Sequence, residues 1–241
     1  MKEALGIIPA RYHSRRFPGK ALALINNKPM IQRVYEQATT SKYLNRVIVA
    51  TDDQRIYAAC QAIGAEVWLT SPDHHSGTER AAEVAAQIKA PIIINIQGDE
   101  PLIQGEMIDS LVAVLEDEAI PIATLAAKVN DLSLLTEENI VKVVVDRQGF
   151  ALYFSRSPLP YHPPDYFLQH IGLYGYQRDF LLKFQSLKPS RLEKIERLEQ
   201  LRALDNGYRI KILEFPFPTL SVDTPQDIIK VENYLKEKKD E

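Results

Sequence analysis

The sequence predicts an α/β fold with a Rossmann-like, mostly parallel sheet and a smaller mixed β/α portion. Strand-sized apolar runs alternate with segments of helical spacing in the first half of the chain, which is typical of βαβ units. Some of these runs, such as Ile92-Ile93-Ile94, are apolar at consecutive positions, as expected of strands buried on both faces. The chain has 241 residues, 45% of them hydrophobic, which is enough to bury a core without disulfides. We therefore expect a single domain over residues 1–241.

The first half, about residues 1–130, is predicted to hold four strands and three helices. The strands are expected at residues 5–9, 47–50, 67–69 and 92–96. The helices are expected at residues 30–39, 54–63 and 79–89. The second helix shows the reasoning, because Ile56, Ala59, Cys60 and Ile63 are spaced so that they share one helical face.

The second half, about residues 131–241, has a mixed pattern. Two strands at 141–145 and 150–154 flank a turn and predict a hairpin. A strand is expected at 170–176, and a helix over 192–204 that opens with a capping box of Ser190 and Glu193. A strand at 210–215 and a helix at 226–238 complete the pattern, and the proline-rich stretch 157–164 is expected to be a loop.

The composition argues against several classes of protein. The net charge of −3 does not favour a nucleic-acid or anionic-membrane binder, which needs a basic face. A single cysteine, Cys60, fits a reducing compartment, so we expect a cytoplasmic protein. The apolar segment before Pro9 is too short for a signal peptide, and no apolar run is long enough to span a membrane.

The loop after the first strand, residues 9–20, carries four cations and no acid. The cations are Arg11, Arg15, Arg16 and Lys20. Such a loop would repel itself unless an anion filled it, and a triphosphate requires this set of donors. The alternative is a solvated basic loop. The P-loop pattern is absent from this loop. The dinucleotide-binding pattern Gly-x-Gly-x-x-Gly is also absent, which disfavours an NAD enzyme.

Two aspartates are candidate metal ligands. Asp99 directly follows the predicted strand at 92–96, where the carboxyl ends of parallel strands bind ligands. Asp223 precedes the last predicted helix. Carboxylate oxygens are suitable ligands for Mg²⁺. The alternatives are a simple turn at Asp99 and a helix N-cap or a turn residue at Asp223.

Glu199 is a candidate on independent grounds. Its spacing from Leu192 and Ile195 predicts that it lies on the apolar stripe of the helix over 192–204. A carboxylate buried there without a partner is costly, and a sugar hydroxyl or a cation would satisfy it. The alternative is a salt bridge with Arg202, three residues further along.

Eight sequence blocks together carry a resemblance to one family. In order, they are Ile8-Pro9-Ala10-Arg11 through Pro18-Gly19-Lys20, Val49-Ala50-Thr51-Asp52, His75-Ser76-Gly77-Thr78-Glu79-Arg80, Gln97-Gly98-Asp99-Glu100-Pro101, Ala151-Leu152-Tyr153-Phe154-Ser155-Arg156, His170-Ile171-Gly172-Leu173-Tyr174-Gly175-Tyr176, Leu198-Glu199-Gln200-Leu201-Arg202 and Val222-Asp223-Thr224-Pro225. With this order and spacing, the chain resembles the 3-deoxy-manno-octulosonate (Kdo) cytidylyltransferases over nearly its whole length.

The resemblance implies an activity and its requirements. The anomeric hydroxyl of the acid sugar Kdo would attack the α-phosphorus of CTP, giving CMP-Kdo and pyrophosphate for lipopolysaccharide biosynthesis. Two Mg²⁺ ions would assist the transfer. The fold would be of the nucleotidyltransferase type, with a nucleotide-binding first half, a sugar-binding and dimerisation second half, and a cytoplasmic homodimer as the working form.

The resemblance also implies roles for individual residues. Arg11, Ser14, Arg16 and Lys20 would contact the phosphates, with Pro9, Ala10, Ser76, Gly77 and Gln97 completing the nucleotide site. Asp99 and Asp223 would bind the metal, and with Arg11 and Lys20 they would form the catalytic set. Arg80, Gln97, His170, Tyr174 and Glu199 would contact the sugar, Arg80 pairing with the sugar carboxylate.

Several alternatives stay open at the level of sequence. Arg80 could form a salt bridge on a helix surface, and Tyr174 could be ordinary strand packing. The acid sugar could be sialic acid or an amino analogue of Kdo. A nucleotidyltransferase for another base is disfavoured because the usual Gly-x-Gly-x-x-Arg start is missing. A non-catalytic sugar-nucleotide sensor would not need both Asp99 and Asp223.

Overall fold

A central sheet organises the computed structural model, which describes residues 2–13 and 16–240. Its strands and a small separate ribbon are β1 (Ala4–Ala10), β2 (Leu24–Ile25), β3 (Lys28–Pro29), β4 (Leu44–Thr51), β5 (Val67–Leu69), β6 (Ile92–Ile96), β7 (Ile122–Val129), β8 (Lys142–Val145), β9 (Ala151–Ser155), β10 (Phe167–Gln177) and β11 (Ile210–Phe215). The order across the sheet is β11-β7-β10-β6-β1-β4-β5, with β8 paired to β10 and β9, and β2 pairs with β3. The pairs β1–β4, β1–β6, β4–β5 and β7–β11 are parallel, whereas β10 runs antiparallel to both β6 and β7.

Helices cover both faces of this sheet. They are α1 (Met30–Ala38), α2 (Gln54–Ala62), α3 (Gly77–Gln87), α4 (Gly105–Val114), α5 (Arg178–Phe184), α6 (Arg191–Glu196), α7 (Leu201–Asp205) and α8 (Pro225–Asp240). Apolar residues of α1, α2 and α4 form one core layer, and those of α3, α5 and α7 form the other. Every residue of β1 is buried, as the continuous apolar pattern predicts for a strand covered on both sides. None of the helices in the described ranges is long and apolar enough to cross a membrane.

The predicted sheet is confirmed. The four early strands, the hairpin of β8 and β9, the strand β10 and the strand β11 all form near their predicted positions. The capping box of Ser190 and Glu193 also forms at the start of α6. The prediction did not include β7 or α4, although both are buried elements of the core.

The helix predicted over residues 192–204 is wrong. The structure has two short helices there, because Arg197 adopts a left-handed conformation with φ of 55° and ends α6. Leu192 and Ile195, which were expected to define a buried stripe, are exposed, whereas Leu198 and Leu201 after the break are buried. The apolar residues that enter the core therefore follow the turn, and the chain bends to bury them.

A third, smaller core cluster attaches the C-terminal part of the chain to β2 and the start of α1. Val222 and Val231 pack with Ile25 and Met30, and all four are buried. This contact fixes the segment before α8 beside the start of α1. It places Asp223 at the edge where the parallel strands end.

Candidate active site

A cavity of about 700 Å³ opens beyond the carboxyl ends of β1 and β6. Its lining combines backbone, cations and carboxylates from both halves of the chain: Pro9, Ala10, Arg11, His13, Arg16, Lys20, Ala21, Met30, His74, His75, Ser76, Gly77, Arg80, Gln97, Gly98, Asp99 and Asp223. Open parallel sheets bind ligands at this edge. The volume lies in the range of small-molecule and cofactor sites.

The loop after β1 is shaped by contacts at its two ends. Gly19 has a left-handed φ of 73°, and its backbone N–H donates to the carbonyl oxygen of Tyr12 at 2.8 Å. The Arg55 guanidinium lies over the Tyr12 ring, with Cζ 3.2 Å from the ring centroid. Ser14, predicted to contact the phosphates, lies outside the described residues, as does Arg15.

Lys20 stands between the two predicted metal ligands. Its Nζ is 2.5 Å from Oδ2 of Asp99 and 3.7 Å from Oδ1 of Asp223. The Arg16 guanidinium also donates to Oδ1 of Asp223, at 2.7 Å. The structure therefore brings together four of the predicted residues, which come from the first loop, the end of β6 and the segment before α8.

Asp223 does not cap the last helix. The backbone N–H groups of Asp223 and Thr224 donate to Oδ2 of Asp227 at 3.2 and 2.9 Å, and the Thr224 hydroxyl donates to the same oxygen at 2.8 Å. Because α8 begins at Pro225, Thr224 and not Asp223 occupies the N-cap position, and the Asp223 carboxylate faces Arg16 and Lys20. The N-cap alternative is thereby excluded.

The two aspartates suit a hard divalent cation. Both side chains are 30% exposed at the cavity, and their oxygens already share one positive charge, the Lys20 ammonium. In the described residues, no third acidic, histidine or cysteine side chain converges with them to complete a ligand cage. Mg²⁺ characteristically takes one or two carboxylates and completes its shell with water and substrate phosphates. The donor set fits that pattern.

Glu100, which follows Asp99, is a buried acid behind this pair. Burial raises its pKa to about 8, and the charges of Asp99 and Asp223 act in the same direction. Its Oε2 has no hydrogen-bond partner among the described residues. Glu100 is almost fully buried, and the nearby Lys20 ammonium opposes the rise in its pKa.

The predicted base-binding residues form one wall of the cavity. Ser76 caps α3, its hydroxyl accepting from the backbone N–H of Glu79 at 3.1 Å. A Cβ on Gly77 would lie 3.5 Å from Pro9, and a Cβ on Gly98 would lie only 2.9 Å from the carbonyl oxygen of Pro9. Gly98 therefore allows the turn after β6 to approach the end of β1 closely. Arg11 reaches the same wall, donating to the carbonyl oxygen of His75 at 3.3 Å.

Arg80 has a different environment from the helix surface or the open sugar pocket considered above. Its side chain is only 3% exposed and is paired with Asp52, Nη2 to Oδ2, at 3.2 Å. Nη1 donates to the Thr70 hydroxyl and to the carbonyl oxygen of Ser71. These contacts fix the segment that leads from β5 into α3. Pairing of Arg80 with a sugar carboxylate stays a prediction. The sugar carboxylate would have to compete with Asp52, Thr70 and Ser71 for the guanidinium.

The residues predicted to bind the sugar form a second group beside this cavity. The rings of His170 and Tyr174 lie on one side of β10, with centroids 5.3 Å apart. Nε2 of His170 is 3.0 Å from the Thr124 hydroxyl, and burial lowers the pKa of His170 to about 3. Burial raises the pKa of Tyr174 far above its usual value. Both rings are therefore neutral hydrogen-bonding groups near pH 7.

Glu199 lies in the turn between α6 and α7 and reaches the start of α3. The Thr78 hydroxyl donates to Oε2 of Glu199. Burial raises the pKa of Glu199, while the bond from Thr78 opposes that shift. Arg202 instead makes a two-point contact with Glu193, so the predicted alternative of a salt bridge to Glu199 does not form.

Sequence reasoning missed Thr78, Asp52 and Glu100 as parts of this region. Thr78 lies within the quoted block 75–80 and Glu100 within 97–101, but neither had a spacing that indicates its partner. Asp52 was quoted only as the residue after a strand. Their partners are distant in sequence, and the contacts appear only once the sheet is assembled.

Comparisons with known proteins agree with this geometry. The model of the Cytidylyltransferase family matches residues 5–212. A 3-deoxy-manno-octulosonate cytidylyltransferase of Syntrophotalea carbinolica is 50% identical, with 95% of this chain and 97% of that protein covered. One from Solibacter usitatus is also 50% identical, with 98% and 95% covered. The chain belongs to the 3-deoxy-manno-octulosonate cytidylyltransferase family. Both the resemblance and the expected nucleotidyltransferase class are confirmed.

Solved structures support the same conclusion for the fold. A CMP:2-keto-3-deoxy-manno-octonic acid synthetase complexed with CTP superimposes with a TM-score of 0.92 and 42% identity, covering 98% of this chain and 99% of that one. A cytidylyltransferase from Leptospira borgpetersenii shares the fold at a TM-score of 0.66 but only 17% identity. The family's fold therefore extends over the whole chain.

Proposed function

We propose that this protein transfers CMP from CTP to the anomeric hydroxyl of Kdo, releasing pyrophosphate. The observation that carries the proposal is the 50% identity to named Kdo cytidylyltransferases over at least 95% of the chain. The cavity agrees, because it joins a cationic loop to two carboxylates at the carboxyl edge of a parallel sheet. CTP is the nucleotide bound in the solved relative that is 42% identical.

The nucleotide site would consist of the cavity wall at the start of α3 and the cationic loop after β1. Ser76 and Gly77 would border the cytosine, since the small side chain and the glycine let backbone groups approach a base edge. Arg11 and Lys20 would hold the triphosphate, and Arg16 would add a further cation at its rim. Charge neutralisation and alignment are the main requirements of this kind of transfer.

Asp99 and Asp223 would hold Mg²⁺. There it would supply a Lewis acid that polarises the attacking hydroxyl and offsets the charge on the triphosphate and its leaving group. Lys20 offsets part of the negative charge of the same two carboxylates, because its ammonium contacts both of them. The two acids are therefore arranged for a cation before any ligand binds.

The sugar would bind on the side of β10 and the α6–α7 turn. Neutral His170 and Tyr174 offer hydrogen bonds to hydroxyl groups without adding charge. Glu199 would accept from sugar hydroxyls, and Gln97, which lines the cavity after β6, would reach the ribose or the sugar. The CMP-Kdo formed would serve lipopolysaccharide synthesis. We propose that the protein works in the cytoplasm as a homodimer. Sedimentation velocity of the purified protein would test the homodimer.

The direct test is pyrophosphate release by the purified protein with Mg²⁺ and Kdo, comparing CTP with UTP, ATP and GTP. Sialic acid and an amino analogue of Kdo would replace Kdo in parallel reactions. We expect release with CTP and Kdo, and its loss in Asp99→Ala. Asp179→Asn is the matched control, because that side chain is 97% exposed on α5. No release with any nucleotide and sugar would refute the proposal.

A further inference from the structure

The hydroxyl of Thr78 makes an unusual contact for a threonine inside a helix. Thr78 lies in the first turn of α3 and is 4% exposed. A threonine further along a helix commonly returns its hydroxyl to a backbone carbonyl of the preceding turn, but no helical turn precedes Thr78. Here the hydroxyl donates across 121 positions of sequence to Oε2 of Glu199. The contact therefore joins two halves of the chain rather than completing a local turn.

The same turn of α3 belongs to the nucleotide side of the cavity. Ser76 and Gly77, which immediately precede Thr78, both line the cavity. The Ser76 hydroxyl is already committed to the cap of α3 through Glu79, and it is also close enough to Glu199 to lower the pKa of that acid. The start of α3 thus lines the cavity with Ser76 and Gly77 and holds Glu199 with Thr78.

The electrostatics of Glu199 make this contact consequential. Burial is the largest influence on its pKa and raises it. Thr78 and Ser76 oppose burial through hydrogen bonds, Arg202 opposes it through its charge, and Glu193 reinforces it. A buried carboxylate stays ionised only where such donors outweigh desolvation. Removing the Thr78 hydroxyl shifts the balance toward the protonated acid.

The groups from β10 that face Glu199 carry no charge. Burial raises the pKa of both Tyr174 and Tyr176 far above neutral pH, and Glu199 acts in the same direction on each. Neither tyrosine brings a positive charge that could take over the role of the Thr78 hydroxyl in stabilising the Glu199 carboxylate. The ionisation of Glu199 therefore depends on the start of α3 and on Arg202.

We infer that Thr78 is a positioning residue for the sugar substrate: its hydroxyl fixes the Glu199 carboxylate in place as a hydrogen-bond acceptor for a sugar hydroxyl and ties it to the turn that borders the nucleotide. This inference rests on the proposed function, in which Glu199 contacts the sugar. It assigns Thr78 no direct contact with either substrate.

The test compares Thr78→Val, which keeps the shape but removes the hydroxyl, with Thr78→Ser, which keeps the hydroxyl. In steady-state assays, Thr78→Val should raise the KM for Kdo about tenfold, the effect of a lost hydrogen bond to a charged group. The KM for CTP should change by less than about twofold. Thr78→Ser should stay within about twofold of the parent for both substrates, since a hydroxyl is restored.

The pH profile separates positioning from a general loss of structure. The acidic limb of kcat/KM for Kdo should move to higher pH in Thr78→Val, because Glu199 would protonate more readily. In a Glu199→Gln background, Thr78→Val should have almost no further effect on the KM for Kdo. If circular dichroism shows that valine disturbs the fold, Thr78→Ala makes the same chemical change with less steric demand.

The outcomes distinguish the inference from the function on which it rests. An unchanged KM for Kdo and an unchanged pH profile in a folded Thr78 variant would overturn the inference alone. An unchanged KM in Glu199→Gln would remove the sugar role of Glu199 and the inference with it. Absence of turnover by the parent protein with CTP and Kdo would refute the proposed function itself.

Discussion

The backbone N–H of Val222 donates to the carbonyl oxygen of Asp99 at 2.9 Å. This bond ties the tip of β6 to the segment before α8, and it lies next to both predicted metal ligands. Asp99 and Asp223 are far apart in sequence, but their separation at the cavity is set by backbone, and Val222 is itself buried in the cluster with Met30. The backbone of the fold thus brings the two segments that carry the carboxylates together.

Replacing either aspartate should abolish most of the transfer. Asp99→Asn and Asp223→Asn keep the shape but remove a charge that would hold Mg²⁺, and we expect kcat to fall by at least about a hundredfold. Pyrophosphate release against Mg²⁺ concentration measures the effect. Asp179→Asn, on an exposed carboxylate, should behave as the parent. Activity above a tenth of the parent in both cavity variants would contradict the metal assignment.

Removal of the Lys20 ammonium should change the response to metal. In Lys20→Met, Asp99 and Asp223 would face each other without the shared cation, so the metal-free protein should melt at a lower temperature. Added Mg²⁺ or Mn²⁺ should then raise the Tm more than in the parent, because binding to the native state stabilises it. Turnover should nevertheless be lost. Thermal unfolding with and without metal is the measurement, with Lys128→Met, on an exposed lysine, as the control. If metal raises the Tm of Lys20→Met and of the parent by the same amount, metal binding by the two acids does not depend on the Lys20 ammonium.

A substitution at Arg80 discriminates between its two candidate roles. Arg80→Lys cannot reproduce the contacts with Asp52, Thr70 and Ser71 at once, because a lysine lacks the planar fork. We expect the KM for CTP to rise about fivefold or more, since two or more hydrogen bonds that fix the nucleotide wall are lost. The KM for Kdo should change little.

The opposite result at Arg80 would be equally informative. A rise confined to the KM for Kdo would favour the pairing of Arg80 with the sugar carboxylate. Arg191→Lys, at an exposed position on α6, is the matched control and should alter neither KM.

The neutral state of His170 predicts how stability depends on pH. Its pKa is lowered to about 3 in the folded protein, whereas an unfolded histidine has a pKa of about 6.5. Between these values the unfolded chain binds a proton that the folded chain does not, so stability is lost as the pH falls below about 6.5. The slope from this one group is at most about 1.4 kcal/mol per pH unit.

His170→Gln should remove that slope. From pH 6.5 to pH 5, the free energy of unfolding of the parent should fall by about 2 kcal/mol more than that of the variant. Urea unfolding at several pH values measures the difference. His162→Gln, on an exposed histidine, should retain the full slope. Parallel curves for His170→Gln and the parent would mean that His170 takes up its proton in the folded state.

Local patterns predicted most of the elements because each depends on a short stretch of sequence. β5, β6 and β11 form at the predicted residues, and the capping box at Ser190 forms because its partners are three residues apart. The break at Arg197 was not predictable in this way, since Leu192 and Ile195 have helical spacing but are exposed. Which apolar residues enter the core is decided by the packing of α7, not by the local period.

The same distinction applies to the site. Lys20, Asp99 and Asp223 could be proposed from loop chemistry and from the family resemblance, and the structure brings them together. The partners of Arg80 and Glu199 could not be predicted, because Asp52 and Thr78 have no spacing signal that relates them to those residues. Long-range polar contacts depend on strand order, and strand order is fixed by the assembled sheet.

The late position of the antiparallel strand β10 in the sequence has a consequence for folding during synthesis. It is hydrogen-bonded between β6 and β7, and Gly175 within it allows Leu115 of the segment after α4 to come close. Until residue 177 has left the ribosome, β6 and β7 keep unpaired edges of apolar strand, which invite association with other chains. A fragment that ends near residue 130 should therefore aggregate during synthesis, because it lacks the strand that pairs with both β6 and β7.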